Sequence, residues 1–232
     1  MKKRYYLAFV LVILFVFVLF TAVEAQRLDF RVQGFGGLSG GSTDDENKTG
    51  ELGFSGGGGV AFTYYFQKLG RFRLGTTTGL DFMYLTYKSE TDTIPPAPPS
   101  TLTSDTNYSY LVVPITFRGS FRLNDRLTFN LDAGPFLGLF LGGKSKNDFD
   151  PDGFGLEDGE EDLNKDTTEQ RDIGIRLNAS LEMPFRKNLR FSPGILFDLG
   201  FSDTSKDQLI VAPSKDTFWK LGAYMALIHN LF

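Results

Sequence analysis

The chain has 232 residues, enough for one domain or at most two, and its formal net charge of −4 offers no basic surface to nucleic acid. It contains no cysteine, which excludes disulfides, a thiolate metal site, a cysteine nucleophile and a lipid anchor on cysteine. Its 26 glycines and 24 phenylalanines suit a β-barrel better than a helical enzyme.

At the N-terminus, Lys2, Lys3 and Arg4 precede an apolar stretch from Tyr5 to Val23, and Val23-Glu24-Ala25 sets small residues at cleavage spacing. The pattern predicts a signal peptide over residues 1–25 and a barrel domain over 26–232, starting at Gln26. An uncleaved anchor is the alternative, because the apolar stretch nearly reaches bilayer length. No later segment has about 18 uninterrupted apolar positions, so any further membrane crossing must be a closed barrel, which leaves no backbone group unpaired in lipid.

The rest of the chain falls into eight stretches that alternate apolar and polar residues: 27–37, 52–66, 72–87, 108–121, 127–142, 171–184, 190–202 and 217–232. A period of two is the mark of a strand with two unlike faces. Short turns follow the second, fourth and sixth stretches, at 67–71, 122–126 and 185–189. Long polar loops follow the first, third, fifth and seventh, at 38–51, 88–107, 143–170 and 203–216. Turns on one side and loops on the other describe an all-β fold, an eight-stranded antiparallel up-and-down transmembrane β-barrel. A Greek-key sandwich would not sort its connections in this way.

The two faces have consistent chemistry. In the fifth stretch Leu127, Phe129, Leu131, Ala133, Leu137, Leu139 and Leu141 oppose Thr128, Asn130, Asp132, Gly134 and Gly138. In the sixth, Ile173, Ile175, Leu177, Ala179, Leu181 and Met183 oppose Gly174, Arg176, Asn178, Ser180 and Glu182. Parity does not say which face is inside, but size does. About eight strands leave room only for side chains, so the bulky face goes out to lipid and the small and charged face goes in. The polar face carries Arg31, Arg73, Arg118, Arg176 and Lys220 against Asp29, Asp81, Asp132, Glu182 and Asp198. Balanced charges predict a packed ion-pair network rather than a charged channel. Pro114 requires an irregular pairing at its missing donor, and Gly56 to Gly59 relieve curvature or close packing.

Three motifs in order carry a family resemblance. Tyr110-Leu111-Val112-Val113-Pro114-Ile115 resembles the Tyr-Leu-x-x-Pro strand of the PorT-like outer-membrane β-barrel family of Bacteroidota. Asp132-Ala133-Gly134-Pro135-Phe136-Leu137-Gly138 resembles that family's Gly-Pro-aromatic-x-Gly strand, and Asp172-Ile173-Gly174-Ile175 the strand after it. The terminal Phe232 resembles the signal that barrel-assembly machinery reads, although Lys220 pointing in puts Phe232 on the inner face unless a bulge intervenes. The resemblance implies a barrel in the bacterial outer membrane and little about activity.

Catalysis has little support. The single histidine, His229, falls at the rim of the last strand, so neither Ser/His/Asp hydrolysis nor a histidine-ligated zinc site is expected. In the third long loop, Asp148, Asp150 and Asp152 alternate before Gly153, the opening of a calcium loop, but position 12 is Gly159 rather than Glu. Glu157 or Glu160 would substitute only with changed geometry. The expectations are no cofactor beyond weak calcium on residues 148–160, against the plainer reading of a solvated acidic loop. The run 94–99, Ile-Pro-Pro-Ala-Pro-Pro, reads as a stiff polyproline II segment.

The leading functional expectation is a non-enzymatic outer-membrane barrel with a filled lumen and long surface loops, in a binding or envelope-assembly role. A narrow channel or accessory for transport or secretion across the outer membrane is the alternative. The implied partners are outer-membrane lipid, barrel-assembly machinery, and an extracellular ligand or envelope protein, with no nucleic acid.

Overall fold

The computed structural model describes residues 27–42, 48–92, 101–150, 159–163, 171–201 and 217–231. These residues form β1 (Arg27–Ser42), β2 (Lys48–Glu51), β3 (Gly53–Leu69), β4 (Phe72–Asp92) and β5 (Thr101–Arg122). They continue as β6 (Thr128–Asp150), β7 (Gly159–Leu163), β8 (Arg171–Arg186), β9 (Leu189–Gly200) and β10 (Thr217–Asn230). Eight of these make a closed antiparallel wall: β1, β3, β4, β5, β6, β8, β9 and β10 in turn, with β10 pairing back to β1. Closure leaves the wall no edge within the ring, which is the condition for crossing lipid on strands. The eight expected strands are all present in the expected order.

The turns form for local reasons. Gly70 adopts a φ of 60°, open to glycine at no steric cost, and reverses the chain between β3 and β4. Between β5 and β6, the Asn124 side-chain oxygen accepts hydrogen bonds from the backbone N–H groups of Arg126 and Leu127, both at 2.8 Å. The expected irregularity at Pro114 is a gap rather than a bulge. The β4–β5 ladder is broken between Thr78↔Ile115 and Asp81↔Val112, so the missing donor meets no partner that needs it. Pro135 sits in the same kind of gap in β5–β6, between Pro114↔Phe136 and Phe117↔Ala133.

The loops are shorter than the sequence implied. Residues 38–42, 88–92, 101–107 and 143–150 continue the strands, and 48–51 and 159–163 form the short strands β2 and β7. Beyond the apolar band both faces of a strand meet water, so polar follows polar and the alternation that betrays a strand vanishes. Residues 1–25, the polyproline run 94–99, the 203–216 loop and Phe232 lie outside the described residues.

The faces separate as expected. Val60, Phe82, Ile115, Phe117, Leu131, Ile173, Ile195 and Met225 are exposed on the outer face. In water so large an apolar patch would be untenable; as a belt it faces lipid. Phe121 and Phe129 are paired near the turns, and Phe54 and Tyr84 lie near the loops, which puts aromatic side chains at both borders. Gly57 and Gly59 have an inward parity and make room. A Cβ at Gly57 would meet the Phe35 ring at 2.8 Å, and one at Gly59 the Asp81 carboxylate at 2.3 Å.

Candidate functional site

The lumen is built from the inward residue of each strand pair. Toward the turns it is charged. Arg118 on β5 holds Asp132 on β6 through two hydrogen bonds, one of 2.6 Å from Nε, and Arg31 on β1 lies 3.8 Å from the same carboxylate. Arg31 also donates to Thr77 at 3.1 Å and to the Tyr224 hydroxyl at 3.4 Å. Farther along, Arg176 on β8 donates to both oxygens of Asp198 on β9, at 2.8 and 2.9 Å, and reaches across the barrel to Asp81 on β4. Lys220 on β10 adds a 2.8 Å ion pair to Asp198, and the Gln33 amide donates to Asp81 at 2.7 Å. Both carboxylates therefore have more than one donor, which a buried charge needs.

This is the expected packed network, with one correction in membership. Arg73 belongs to no ion pair among the described residues and is only half buried. Its place is taken by two arginines that the face assignment passed over. Arg190 binds Asp29 at 2.8 Å and also Glu182, and Arg27 binds Asp29 at 2.8 Å. Both stand at strand ends, where an arginine reads as an ordinary turn residue.

Toward the loops the lumen is aromatic, which the sequence did not announce. Tyr87, Tyr108, Tyr110, Phe140 and Phe218 touch one another, with ring centroids 5.3 to 6.3 Å apart. Phe35, Met83, Leu85 and Phe136 pack into the same cluster. Phe35 joins the halves: the Lys220 ammonium sits 4.2 Å from its ring centroid, a cation–π contact on the boundary. The lumen is thus closed twice, by ion pairs and by rings.

Beyond the rings the wall becomes a sheet above the membrane. A transmembrane strand needs about 9–11 residues. β5 has 22 and β6 has 23, so about half of each stands clear. β2 adds to this part of β4, and β7 to this part of β6. Its surface carries small ion pairs: Lys88 with Glu51 at 3.2 Å, Lys146 with Asp148 at 3.0 Å, and Lys144 with Glu160. The Glu51 carboxylate raises the pKa of Lys88. Lys144 and Glu160 shift each other, the lysine upward and the carboxyl downward.

Two of the three sequence-predicted calcium ligands fall on this sheet. Asp148 and Asp150 lie on the last residues of β6 rather than in a loop, and Asp152 lies outside the described residues. Asp148 is already bound by Lys146, and Glu160 by Lys144. Among the described residues no three His, Cys, Asp or Glu side chains gather as a metal site. His229 stands at the turn-side end of β10, opposite Phe30 and Leu189.

Residues 24–206 match a family model described as outer membrane protein beta-barrel domain. No curated protein matches the chain. Among solved structures, the chain is similar to Neisserial surface protein A, at 15% identity over 85% of this chain and 96% of that one, with a TM-score of 0.36. It is also similar to the attachment invasion locus protein Ail of Yersinia pestis, at 13% identity over 86% and 98%, with a TM-score of 0.32. The outer membrane protease OmpT of Escherichia coli matches at 7% identity over 90% and 98%, with a TM-score of 0.45. The match over residues 24–206 is what shows the family.

Proposed function

The chain belongs to the outer membrane protein beta-barrel domain family, and we propose that it serves there as a non-enzymatic, plugged barrel with a binding or envelope-assembly role. It resides in the bacterial outer membrane. The observation that carries the proposal is the doubly closed lumen. Arg176 ties β8 to β4 across the barrel, and the ring cluster fills the space on the loop side. A barrel filled in this way is a rigid mount, and the sheet above the membrane is what it presents. The non-enzymatic reading draws support from His229, the single histidine, which shares the outward parity of Met225 and Leu227 on β10 and so stands on the opposite face of the wall from the lumen carboxylates.

Within the family we place the chain with the PorT-like barrels of Bacteroidota, on the ordered motifs at 110–115, 132–138 and 172–175. The partners in this reading are outer-membrane lipid on the apolar belt, assembly machinery reading the last strand, and an extracellular ligand or envelope protein on the sheet. Weak calcium at Asp148, Asp150 and Asp152 belongs to the same reading.

Planar-bilayer recording tests the plug. The purified barrel is expected to give no steady conductance above leak, and stable open steps would favour the channel or secretion accessory instead. Crosslinking from Lys146 in intact cells tests the presenting surface. A specific adduct that disappears when residues 101–104 and 147–150 are shortened together, with Lys146 kept and the barrel still assembled, supports it.

A further inference from the structure

The opposite end of the barrel holds a feature that the presenting role does not use. At the turn-side mouth a cavity of about 250 Å³ is lined by six arginines, Arg27, Arg71, Arg73, Arg122, Arg126 and Arg190, against two carboxylates, Asp125 and Glu182. Arg27 and Arg190 are spoken for by Asp29 and Glu182. Arg71, Arg73, Arg122 and Arg126 form no ion pair among the described residues. They come from two neighbouring turns that the chain ties together: the Arg122 backbone N–H donates to the Arg71 carbonyl at 2.8 Å. Arg73 is half buried and shares the cavity lining with Arg27 and Arg122.

A guanidinium does not shed its proton, so its burial among like charges calls for an anion from outside. The elements lining the cavity fix the chemistry. Several planar forks converging on one opening match the oxygens of a tetrahedral oxyanion, each fork able to donate two parallel bonds. Tyr65 and Ser120, hydrogen-bonded to each other at 3.2 Å, close the inner wall, so the anion stops at the mouth. The volume admits a phosphate with little attached. In barrels of this family the short turns face the periplasm.

We propose that the turn-side mouth is a periplasmic phosphate-binding site formed by Arg73 and Arg122, with Arg71 and Arg126 at its rim. The phosphate comes either as a small soluble ion or as the headgroup of a lipid in the inner leaflet. The shared chemistry is the phosphate dianion or diester, and two measurements separate the sources.

In the first, the intact barrel in a non-ionic detergent is titrated calorimetrically with inorganic phosphate and with pyrophosphate, against chloride at matched ionic strength. In the second, native mass spectrometry counts adducts of phosphatidic acid against diacylglycerol of the same chains. Saturable binding in either arm that weakens about tenfold or more in Arg73→Ala supports the proposal and names the source. Arg122→Gln, which keeps a polar amide and loses the charge, is expected to weaken it as well. Arg73→Ala removes a like charge from a crowded mouth, so it is not expected to unfold the barrel, and thermal unfolding without phosphate checks this. Binding that tracks ionic strength alone, or that Arg73→Ala leaves unchanged, or that is missing from both arms, overturns the site.

Discussion

Near the turns, Arg118 and Asp132 fill the barrel by meeting in a fixed two-bond geometry; near the loops, Tyr110 and Phe140 fill it by laying rings together at a centroid distance of 5.8 Å. Both solutions displace water from the same narrow tube. They fail differently. An ion pair taken from water is held by partners of fixed direction, and loss of one partner strands the other in a dry place. A ring cluster is held by area and dispersion, which any apolar side chain of similar volume supplies. The charged half therefore sets register and identity, and the aromatic half tolerates exchange.

The largest expected effect follows from removing a cation at the centre of the network. Arg176→Leu leaves Asp81 and Asp198 facing each other with Lys220 and Gln33 as remaining donors. The folded barrel is expected to lose about 3–5 kcal/mol, read as a lower urea midpoint on refolding in detergent. An unchanged midpoint would mean that water reaches these carboxylates, and the contrast between the halves would collapse.

A smaller pair of substitutions sharpens the contrast. Arg118→Lys keeps the charge but gives up the planar fork that holds both Asp132 oxygens, and about 1–3 kcal/mol is expected to go with it. Leu85→Met, buried in the aromatic half, keeps volume and polarity and is expected to cost less than about 1.5 kcal/mol. Equal losses from the two swaps would show that shape, not direction, governs both halves.

The same contrast explains what could be read from the amino acids. Asp132 and Arg176 were legible because a charge in an apolar alternation has one place to go. Their pairings were not, because Arg176 meets Asp81 across three strand intervals, and that depends on how the barrel closes. Phe136, Phe140 and Phe218 share the inner parity of Gly138 and Lys220, but residue type alone hides them as lumen residues, since a ring suits lipid as well as a packed interior. Residues 101–107 and 143–150 read as loop because their polar faces differ too little to show a period of two. The mouth arginines hid at strand ends, although Arg73 on the inner parity with no acid near it in its strand was the available sign.

The smallest effect concerns the acidic end of β6, where the surface pairs compete with calcium. The Asp148, Asp150, Asp152 spacing supplies carboxylates that a hard cation would draw together. Yet Lys146 holds Asp148 at 3.0 Å, and Lys144 holds Glu160, one of the two acids that flank Gly159 at position 12. Lys144 also keeps the Glu160 carboxyl below its ordinary value of 4.5, so it stays ionised and paired as pH falls toward that value. A depressed pKa adds stability that is present at neutral pH and is lost as pH drops through the folded value. The pair is fully exposed, so no measurable change in the unfolding midpoint is expected there. For calcium, a cation must displace both ammonium groups before it gains both oxygens. Binding is therefore expected to be weak, with Kd on the order of 10⁻⁴ to 10⁻³ M, and to tighten severalfold in a Lys144→Ala, Lys146→Ala double variant. Asp150→Asn with Asp152→Asn is expected to abolish it while the barrel assembles normally, since the wall hydrogen bonds are untouched. Calorimetry with millimolar calcium decides the matter: heat that the lysine variant strengthens and the asparagine variant removes supports a site, whereas no heat in any of the three leaves a solvated acidic surface.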